Sequence, residues 1–143
     1  MIPDQEADQP VSTDPQAEIY QAARQDKPWG HEQIFAAVEG KYVGKIIHVN
    51  AGQSLSLQYH EVKEETICVM SGEAAVQYGP IGGDLTNVTF GPGDVIHFLP
   101  RVVHRVTGIT DTVFAEVSTA PAGWREDVIR LEDAYGRTGT SAP

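Results

Sequence analysis

Four polar side chains in the middle of the chain have types and a spacing that suit a metal site. Gln58 and His60 lie two residues apart, so both point to the same face if they lie on a β-strand. Glu65 begins the next apolar run and can reach the same point after a turn, and His104 begins a later strand. Two nitrogen and two oxygen ligands leave room for water or substrate, which is typical of a catalytic metal site.

The elements that must position these residues are short apolar runs separated by turn residues. Glycine, proline, asparagine and aspartate punctuate the chain at regular intervals, which predicts an antiparallel β-sandwich or barrel. The predicted strands are His31–Val38, Tyr42–Asn50, Leu55–His60, Thr66–Met70, Ala74–Tyr78, Asn87–Phe90, Asp94–Leu99, His104–Thr107 and Val113–Ser118.

The two ends of the chain differ from this region. Residues 1–13 are polar and acidic and are predicted to be disordered. Asp14 followed by Pro15 resembles a helix start and predicts a short helix over Pro15–Arg24. Near the other end, Glu126–Ala134 predicts a single helical turn or a loop against the barrel. We therefore expect a flexible acidic segment, one barrel domain and a frayed tail, with bounds 1–26, 27–137 and 138–143.

Composition limits the classes of partner. The 143 residues suit one domain, and the net charge of −10 argues against nucleic acid or an anionic membrane as a partner. Cys68 is the single cysteine, which excludes an intrachain disulfide and fits a reducing compartment. The sequence shows no apolar run of membrane-spanning length and no secretory signal, so we expect a cytoplasmic protein.

The spacing of the polar residues resembles two sequence motifs of the cupin superfamily. The run from Gly52 through Gln58, His60 and Glu65 to Gly72 is similar to the first motif, and Gly93-Asp94 through Pro100 to His104 is similar to the second. The resemblance implies an all-β, single-domain jelly-roll barrel with one divalent metal ion inside. It also implies Glu65, rather than its neighbour Glu64, as the carboxylate ligand beside Gln58, His60 and His104. Zinc is the default ion, and manganese, iron or nickel would also suit this ligand set.

Further segments narrow the resemblance to the type II mannose-6-phosphate isomerase domain. They are Lys27-Pro28-Trp29-Gly30, Leu55–His60, Val69–Gly72 and Glu132–Arg137. The resemblance implies an aldose–ketose isomerase acting on mannose 6-phosphate or a related phosphosugar, with Arg137 contacting the substrate and assisting catalysis. Because no glycine-rich nucleotidyltransferase segment precedes the barrel, we expect no pyrophosphorylase activity.

The chain differs from that family in the four residues that follow His60, the candidate metal ligand. The family usually has further histidines and then an arginine, whereas this chain has Glu61-Val62-Lys63-Glu64. Lys63 keeps a positive charge for substrate binding but cannot make a planar bidentate contact with phosphate.

Several residues have two interpretations. Ser56 alternates with Gln58 in a polar row that either lines a pocket, where it would bind substrate, or forms an ordinary exposed strand face. Lys45 and His97 are candidate catalytic residues if they face the pocket; otherwise Lys45 is an exposed strand lysine and His97 a core histidine. A pocket histidine, Lys45 or a metal-bound water could act as the base. Weaker phosphate-binding candidates are Arg101 and Arg130, and we interpret Trp29 and Trp124 as packing anchors.

The predicted partners are a small-molecule sugar or phosphosugar and a second copy of the chain, because cupin barrels commonly pair through exposed strands. Two alternatives remain for the function. One is a non-catalytic, metal-containing cupin that binds a sugar or small metabolite. The other is an iron-dependent cupin dioxygenase, against which Gln58 weighs because it replaces a histidine.

Overall fold

The computed structural model describes residues 12–14 and 17–140, and every regular element in these ranges is a β-strand. The strands are β1 Ser12–Asp14, β2 Ala17–Ile19, β3 Ala23–Lys27, β4 Gly30–Val38, β5 Tyr42–Val49, β6 Leu57–Tyr59, β7 Glu65–Ser71, β8 Ala74–Gly79, β9 Thr86–Phe90, β10 Val95–Phe98, β11 Val103–Gly108, β12 Thr112–Thr119 and β13 Ile129–Glu132. Within the described ranges, no helix is long and apolar enough to cross a membrane.

Two antiparallel sheets pack face to face as a jelly roll. The six-stranded sheet has the order β10-β7-β12-β5-β4-β3, and the five-stranded sheet has the order β13-β6-β11-β8-β9. Strands β1 and β2 pair only with each other. The predicted all-β fold is therefore confirmed, and all nine predicted strands are present with bounds shifted by at most two residues.

The main core lies between the sheets, because strand residues alternate between a buried and an outward face. In β7, Glu65, Ile67 and Val69 are buried, and Val76 and Val106 meet them from the five-stranded sheet. Each fully buried valine or isoleucine contributes about 1.5–3 kcal/mol through removal of apolar surface from water. The site residue Glu65 is therefore anchored at the end of a strand whose other inward side chains form the core.

The turn between β7 and β8 depends on glycine. Gly72 has φ of 83°, and a Cβ atom there would lie 2.1 Å from the Asp111 carbonyl oxygen. Only glycine accepts this backbone without a steric clash. This glycine closes the segment that the cupin resemblance marks as its first motif.

The predicted N-terminal helix is wrong. Ala17–Ile19 and Ala23–Lys27 are strands, while Pro15 and Gln16 lie outside the described residues. In β3, Ala23 and Gln25 are buried while Arg24 and Asp26 are exposed, the alternation of a strand, and β3 pairs with β4 at the sheet edge. That long-range pairing outweighs the local helix-start signal of Asp14-Pro15.

The other predictions for the chain ends have mixed outcomes. Residues 1–11 and 141–143 lie outside the described part, so the predicted disorder there stays a prediction, while Ser12 and Thr13 belong to β1. No helix forms in the segment Glu126–Ala134; instead, Ile129–Glu132 is β13, which pairs with β6. This pairing places the C-terminal segment beside the strand that carries Gln58.

Candidate metal centre and cavity

Three of the four predicted ligands converge between the two sheets. The ligand atoms of His60, Glu65 and His104 all lie within 4.8 Å of one another, and all three residues are buried. Glu65 Oε1 is 3.1 Å from His60 Nε2 and 2.7 Å from His104 Nε2. His60 follows β6, Glu65 begins β7 and His104 lies in β11, so both sheets contribute to the group.

Backbone contacts determine which nitrogen of each imidazole faces the group. Nδ1 of His60 donates to the Asp127 carbonyl oxygen at 2.5 Å, and Nδ1 of His104 donates to the Val102 carbonyl oxygen at 2.9 Å. Because a carbonyl oxygen only accepts, Nδ1 carries the hydrogen in both rings. Nε2 of each ring therefore faces the Glu65 carboxylate, in the position where its lone pair could bind a cation. Three electron-pair donors meeting in a buried space, two of them oriented by outer contacts, fit a bound cation.

The electrostatics of the group follow from the same contacts. Burial by itself would raise the pKa of Glu65, but the two histidines and Lys63 lower this pKa well below its usual value. Burial by itself would lower the pKa of His104, but the hydrogen bond and charge of Glu65 raise it. Glu65 is therefore held as a carboxylate, the form that binds metal.

Gln58, the fourth predicted ligand, lies directly beside this group. It is opposite His104 in the register of β6 and β11, so the two side chains point to the same side of the sheet. The Gln58 side-chain oxygen accepts a hydrogen bond from the Ser56 hydroxyl. Both residues line two adjoining cavities, and Ser56 is buried, so the polar row of this strand faces inward.

The larger cavity is much more positive than the chain as a whole. It encloses about 780 Å³ of empty space including its open mouth. Six of the ten Lys and Arg residues of the chain line it, and all ten fall within the described ranges: Lys27, Lys45, Lys63, Arg125, Arg130 and Arg137. Four carboxylates line it as well, namely Glu32, Glu65, Glu116 and Asp127. A protein of net charge −10 thus presents a cation-rich interior that would attract an anionic ligand.

Lys45 faces the cavity and is held as a cation. Its Nζ atom lies 3.4 Å from Glu32 Oε1, and both side chains are largely buried. Burial would lower the pKa of Lys45, but the charges of Glu32 and Glu116 raise it. The predicted pocket position of Lys45 therefore agrees with the structure, while its raised pKa makes the amine a poor base.

Glu116 is a cavity residue that the sequence analysis missed. It lies in β12 opposite Lys45, and it forms no ion pair within 4.0 Å among the described residues. Burial and the charge of Glu65 raise the pKa of Glu116. The available signal was its place in the alternating row of Thr112, Phe114 and Ser118, which share one face of the strand.

Asp127, also missed, shapes the turn after His60. Its carboxylate accepts hydrogen bonds from the backbone N–H groups of Glu61, Val62 and Lys63 at 2.8, 3.0 and 2.9 Å. Burial would raise the pKa of Asp127, but these three hydrogen bonds lower it. The Lys63 ammonium is held 3.9 Å from Glu65 Oε2, so its charge is directed to the ligand group.

The C-terminal segment supplies further cations. Arg137 lines the cavity, and its guanidinium contacts the Asp133 carboxylate at 2.8 and 3.0 Å. Arg130 projects from β13 into the same cavity. Arg101 instead pairs with Glu61 on the exposed surface. The missed residues Lys27, Glu32 and Arg125 also line the cavity, but no local sequence pattern marks them.

His97 does not line the cavity, so that prediction is wrong. Its side chain is 48% exposed and contacts Glu64 at 2.5 Å and Thr66 at 2.6 Å. In the pairing of β10 with β7, Phe98 is opposite Glu65 and faces inward, so the alternation turns His97 outward. Glu64 lies on the same exposed face, which agrees with Glu65 being the inward carboxylate. Trp29 and Trp124 are buried anchors that also border the cavity.

The fold and the ligand group define a class of protein. A sequence model described as the cupin domain matches residues 45–118, just over half of the chain, so the chain belongs to the cupin domain family. The cupin resemblance noted in the sequence is thereby confirmed.

The individual proteins that resemble this chain have low sequence identity to it, and the chain spans less than half of the length of each. The chain is 32% identical over 117 residues to the alginate biosynthesis protein AlgA of Pseudomonas putida, a match covering 80% of this chain and 23% of that protein. The capsular polysaccharide assembling protein CapF of Staphylococcus aureus superposes with a TM-score of 0.68 at 16% identity over 84% of this chain and 37% of CapF. Oxalate decarboxylase of Bacillus subtilis superposes with a TM-score of 0.68 at 15% identity over 77% of this chain and 30% of the decarboxylase. The two structural matches establish the fold alone.

Proposed function

We propose that the chain is a metal-dependent sugar-phosphate isomerase that interconverts mannose 6-phosphate and fructose 6-phosphate or a closely related pair. The observation that carries this proposal is a cavity that brings His60 and Glu65 together with six cationic side chains, next to a smaller cavity lined by Glu65 and His104. An aldose–ketose isomerase needs to stabilise negative charge at the carbonyl, and a phosphosugar needs cations for its phosphate. Identity to a protein named for alginate biosynthesis adds support for a role in carbohydrate metabolism.

His60, Glu65 and His104, with Gln58 as the fourth ligand, would hold one divalent ion, with zinc as the default and manganese, iron or nickel as alternatives. When bound, such an ion supplies Lewis-acid stabilisation of the carbonyl oxygen as negative charge develops there. Lys63 and the backbone contacts of both imidazoles keep these residues oriented.

Glu116 is the proposed proton-transfer group. It is buried in the cavity with no ion-pair partner among the described residues, so its carboxylate is available to the substrate. The carboxylate would take the proton from C2 of the open-chain aldose and return it to C1, while the O2 hydroxyl proton passes to O1. Lys45 and Arg137 would stabilise the negative charge of the intermediate from the cavity wall.

The test is an isomerase assay on protein loaded with one metal at a time. Mannose 6-phosphate is the substrate, fructose 6-phosphate is the detected product, and unphosphorylated mannose is the control. We expect turnover that disappears on chelation and in His60→Ala. Absence of turnover with zinc, manganese, iron and nickel would refute the proposal. Metabolite binding without turnover would then favour a non-catalytic cupin, and oxygen consumption with iron would favour a dioxygenase.

We also propose that the protein acts in the cytoplasm as a homodimer. The single cysteine supports a reducing compartment. Support for pairing comes from the outward face of the six-stranded sheet, where Phe35, Tyr42, Met70, Val95 and Val117 are 45–57% exposed. Light scattering at micromolar concentration should give the mass of two chains, and the mass of one chain would contradict the pairing.

A further inference from the structure

Two of the six cations that line the larger cavity differ from the other four in their ion pairing. The other four cavity cations each form an ion pair, and these pairs are Lys45–Glu32 at 3.4 Å, Lys63–Glu65 at 3.9 Å, Arg125–Glu39 at 3.3 Å and Arg137–Asp133 at 2.8 Å. Among the described residues, Lys27 and Arg130 form no ion pair within 4.0 Å. Glu32 and Asp133 act on these two side chains only through longer-range charge interactions, so the positive charge without a direct ion pair lies at Lys27 and Arg130.

Arg130 is buried, so its positive charge is largely removed from water, which is energetically unfavourable. Arg130 is 8% exposed, its Nη1 donates to the Thr140 carbonyl oxygen at 3.0 Å, and its Nε is buried without a hydrogen-bond partner. Burial and the charge of Arg137 lower the pKa of Arg130, and the charge of Asp133 opposes them only in part, so the lost hydration of this guanidinium is incompletely offset. An anion in the cavity would remove that cost.

Lys27 completes the same positive region. It ends β3, and the groups that face it are Glu32 from β4, Lys45 from β5, Arg130 from β13 and Arg137. Burial and the three neighbouring cations lower the pKa of Lys27 to about 8, against the opposing charge of Glu32. The ammonium thus lies close enough to the guanidinium groups to be repelled by them, and all of them line one cavity.

We propose that Lys27 and Arg130 form an oxyanion site that takes the phosphate monoester of the ligand. The choice of phosphate follows from charge, because a phosphate monoester carries close to two negative charges at pH 7 and a carboxylate carries one. Two cations without a direct ion pair among the described residues match a dianion. The identification of the ligand as a sugar phosphate rests on the proposed isomerase function, whereas the oxyanion site itself does not.

This site differs from the one that the sequence favoured. Two of the three predicted substrate-binding residues, Lys63 and Ser56, contact Glu65 and Gln58 respectively, next to the candidate metal ligands. The third, Arg137, pairs with Asp133, and Arg130 was only a weaker phosphate-binding candidate. Arg130 is opposite Gln58 in the register of β13 and β6, so one cavity joins the oxyanion site to the ligand group. A sugar phosphate would then bind with its phosphate at Lys27 and Arg130 and its carbonyl end toward His60 and Glu65.

The test uses mannitol 6-phosphate, which carries the phosphate and no carbonyl, so binding is measured without turnover. Calorimetry compares it with mannitol, inorganic phosphate and gluconate on the wild type, Lys27→Met and Arg130→Met. Lys41→Met removes the same charge at an exposed position outside the cavity and serves as the control. A hydrogen bond to a charged group predicts an affinity loss of about 10- to 100-fold in each cavity variant, with Lys41→Met near wild type.

A pH series supplies a second readout that does not depend on folding of Arg130→Met. Between about pH 7.5 and 9.5 the phosphate, whose second pKa is about 6, stays a dianion, while Lys27 loses its proton. Wild-type affinity should therefore fall as pH rises through about 8, and binding at pH 8 should take up protons. Lys27→Met should lose both effects.

The outcomes separate this site from the isomerase proposal. Unchanged mannitol 6-phosphate affinity in Lys27→Met, with the pH dependence retained, would overturn the oxyanion site, as would equal affinity for gluconate. Turnover of mannose 6-phosphate with an unchanged KM in both cavity variants would overturn the site and leave the isomerase standing. Phosphate-dependent binding without turnover would support the site and remove the isomerase.

Discussion

Replacing Glu65 by glutamine should abolish metal-dependent stabilisation, whereas the same change at the neighbouring Glu64 should not. Glu65 is 3% exposed and contacts both imidazoles, while Glu64 is 38% exposed and pairs with His97 on the outer face. Both variants replace a carboxylate by an amide at adjacent positions. A difference in their metal-dependent stabilisation would therefore show that the inward carboxylate of Glu65 is the one that binds metal.

The expected size follows from mass action. At a metal concentration of 100 times Kd, binding stabilises the folded state by about 2.7 kcal/mol. A chain of 143 residues has an unfolding entropy of about 0.3 kcal/mol/K, so the melting temperature should rise by about 9 °C. Loss of even an outer contact to a metal ligand weakens binding by about 10–100-fold, so loss of the carboxylate itself should weaken it at least 100-fold. Stabilisation then falls to about 0.4 kcal/mol, a rise of about 1 °C.

The assay is thermal unfolding of each variant with and without metal, after removal of bound ions by chelation. Each variant is compared with its own metal-free form, because removing a buried charge also changes the metal-free stability. A full metal-induced rise of about 9 °C in the melting temperature of Glu65→Gln would refute the metal site. Loss of this rise in Glu64→Gln would show that Glu64, and not Glu65, is the carboxylate ligand.

Three further predictions concern residues around the site. Glu116→Gln should lower isomerase turnover by about 10²–10⁴-fold while leaving KM and metal-induced stabilisation near wild type; unchanged turnover in steady-state kinetics would remove Glu116 from proton transfer. Lys45→Met should cost about 3–5 kcal/mol of unfolding free energy in denaturant titrations, because Glu32 is left buried and unpaired. The double variant Glu32→Gln/Lys45→Met should recover most of that loss, and a single-variant loss below about 1 kcal/mol would contradict the argument. His97→Ala should keep metal binding and turnover and change stability by at most about 1 kcal/mol, since its contacts lie on the exposed face; a tenfold fall in turnover would show otherwise.

Strand positions were predictable because the alternation of apolar and polar residues is a local signal. The nine predicted strands all form, including those that carry Gln58, Glu65 and His104. The prediction of a helix over Pro15–Arg24 was wrong because a long-range contact outweighs the local signal there. Its capping signal is also local, but β3 gains its stability from pairing with β4, a contact that short-range patterns do not reveal.

His97 shows why the face of a strand residue is harder to predict than the strand. A shift of one residue in the alternation exchanges the inward and outward faces. The sequence is compatible with either choice in β10, and the pairing of Phe98 with Glu65 selects the one that exposes His97. If β10 presented its other face, Phe98 would be exposed to water, which is unfavourable. This consequence is visible only once the sheet is assembled.

The all-β fold followed from the alternation of apolar and polar residues along the chain, and motif spacing indicated which side chains to examine as metal ligands. The charge of the cavity, by contrast, depends on the folded arrangement of the strands. A chain of net charge −10 collects six cations around one cavity because strand register and packing bring Lys27, Lys45 and Arg130 together from β3, β5 and β13. Burial and mutual repulsion then set the pKa of Lys27, and burial leaves Glu116 as an unpaired carboxyl. These properties depend on distances between residues far apart in sequence, which composition and spacing do not contain.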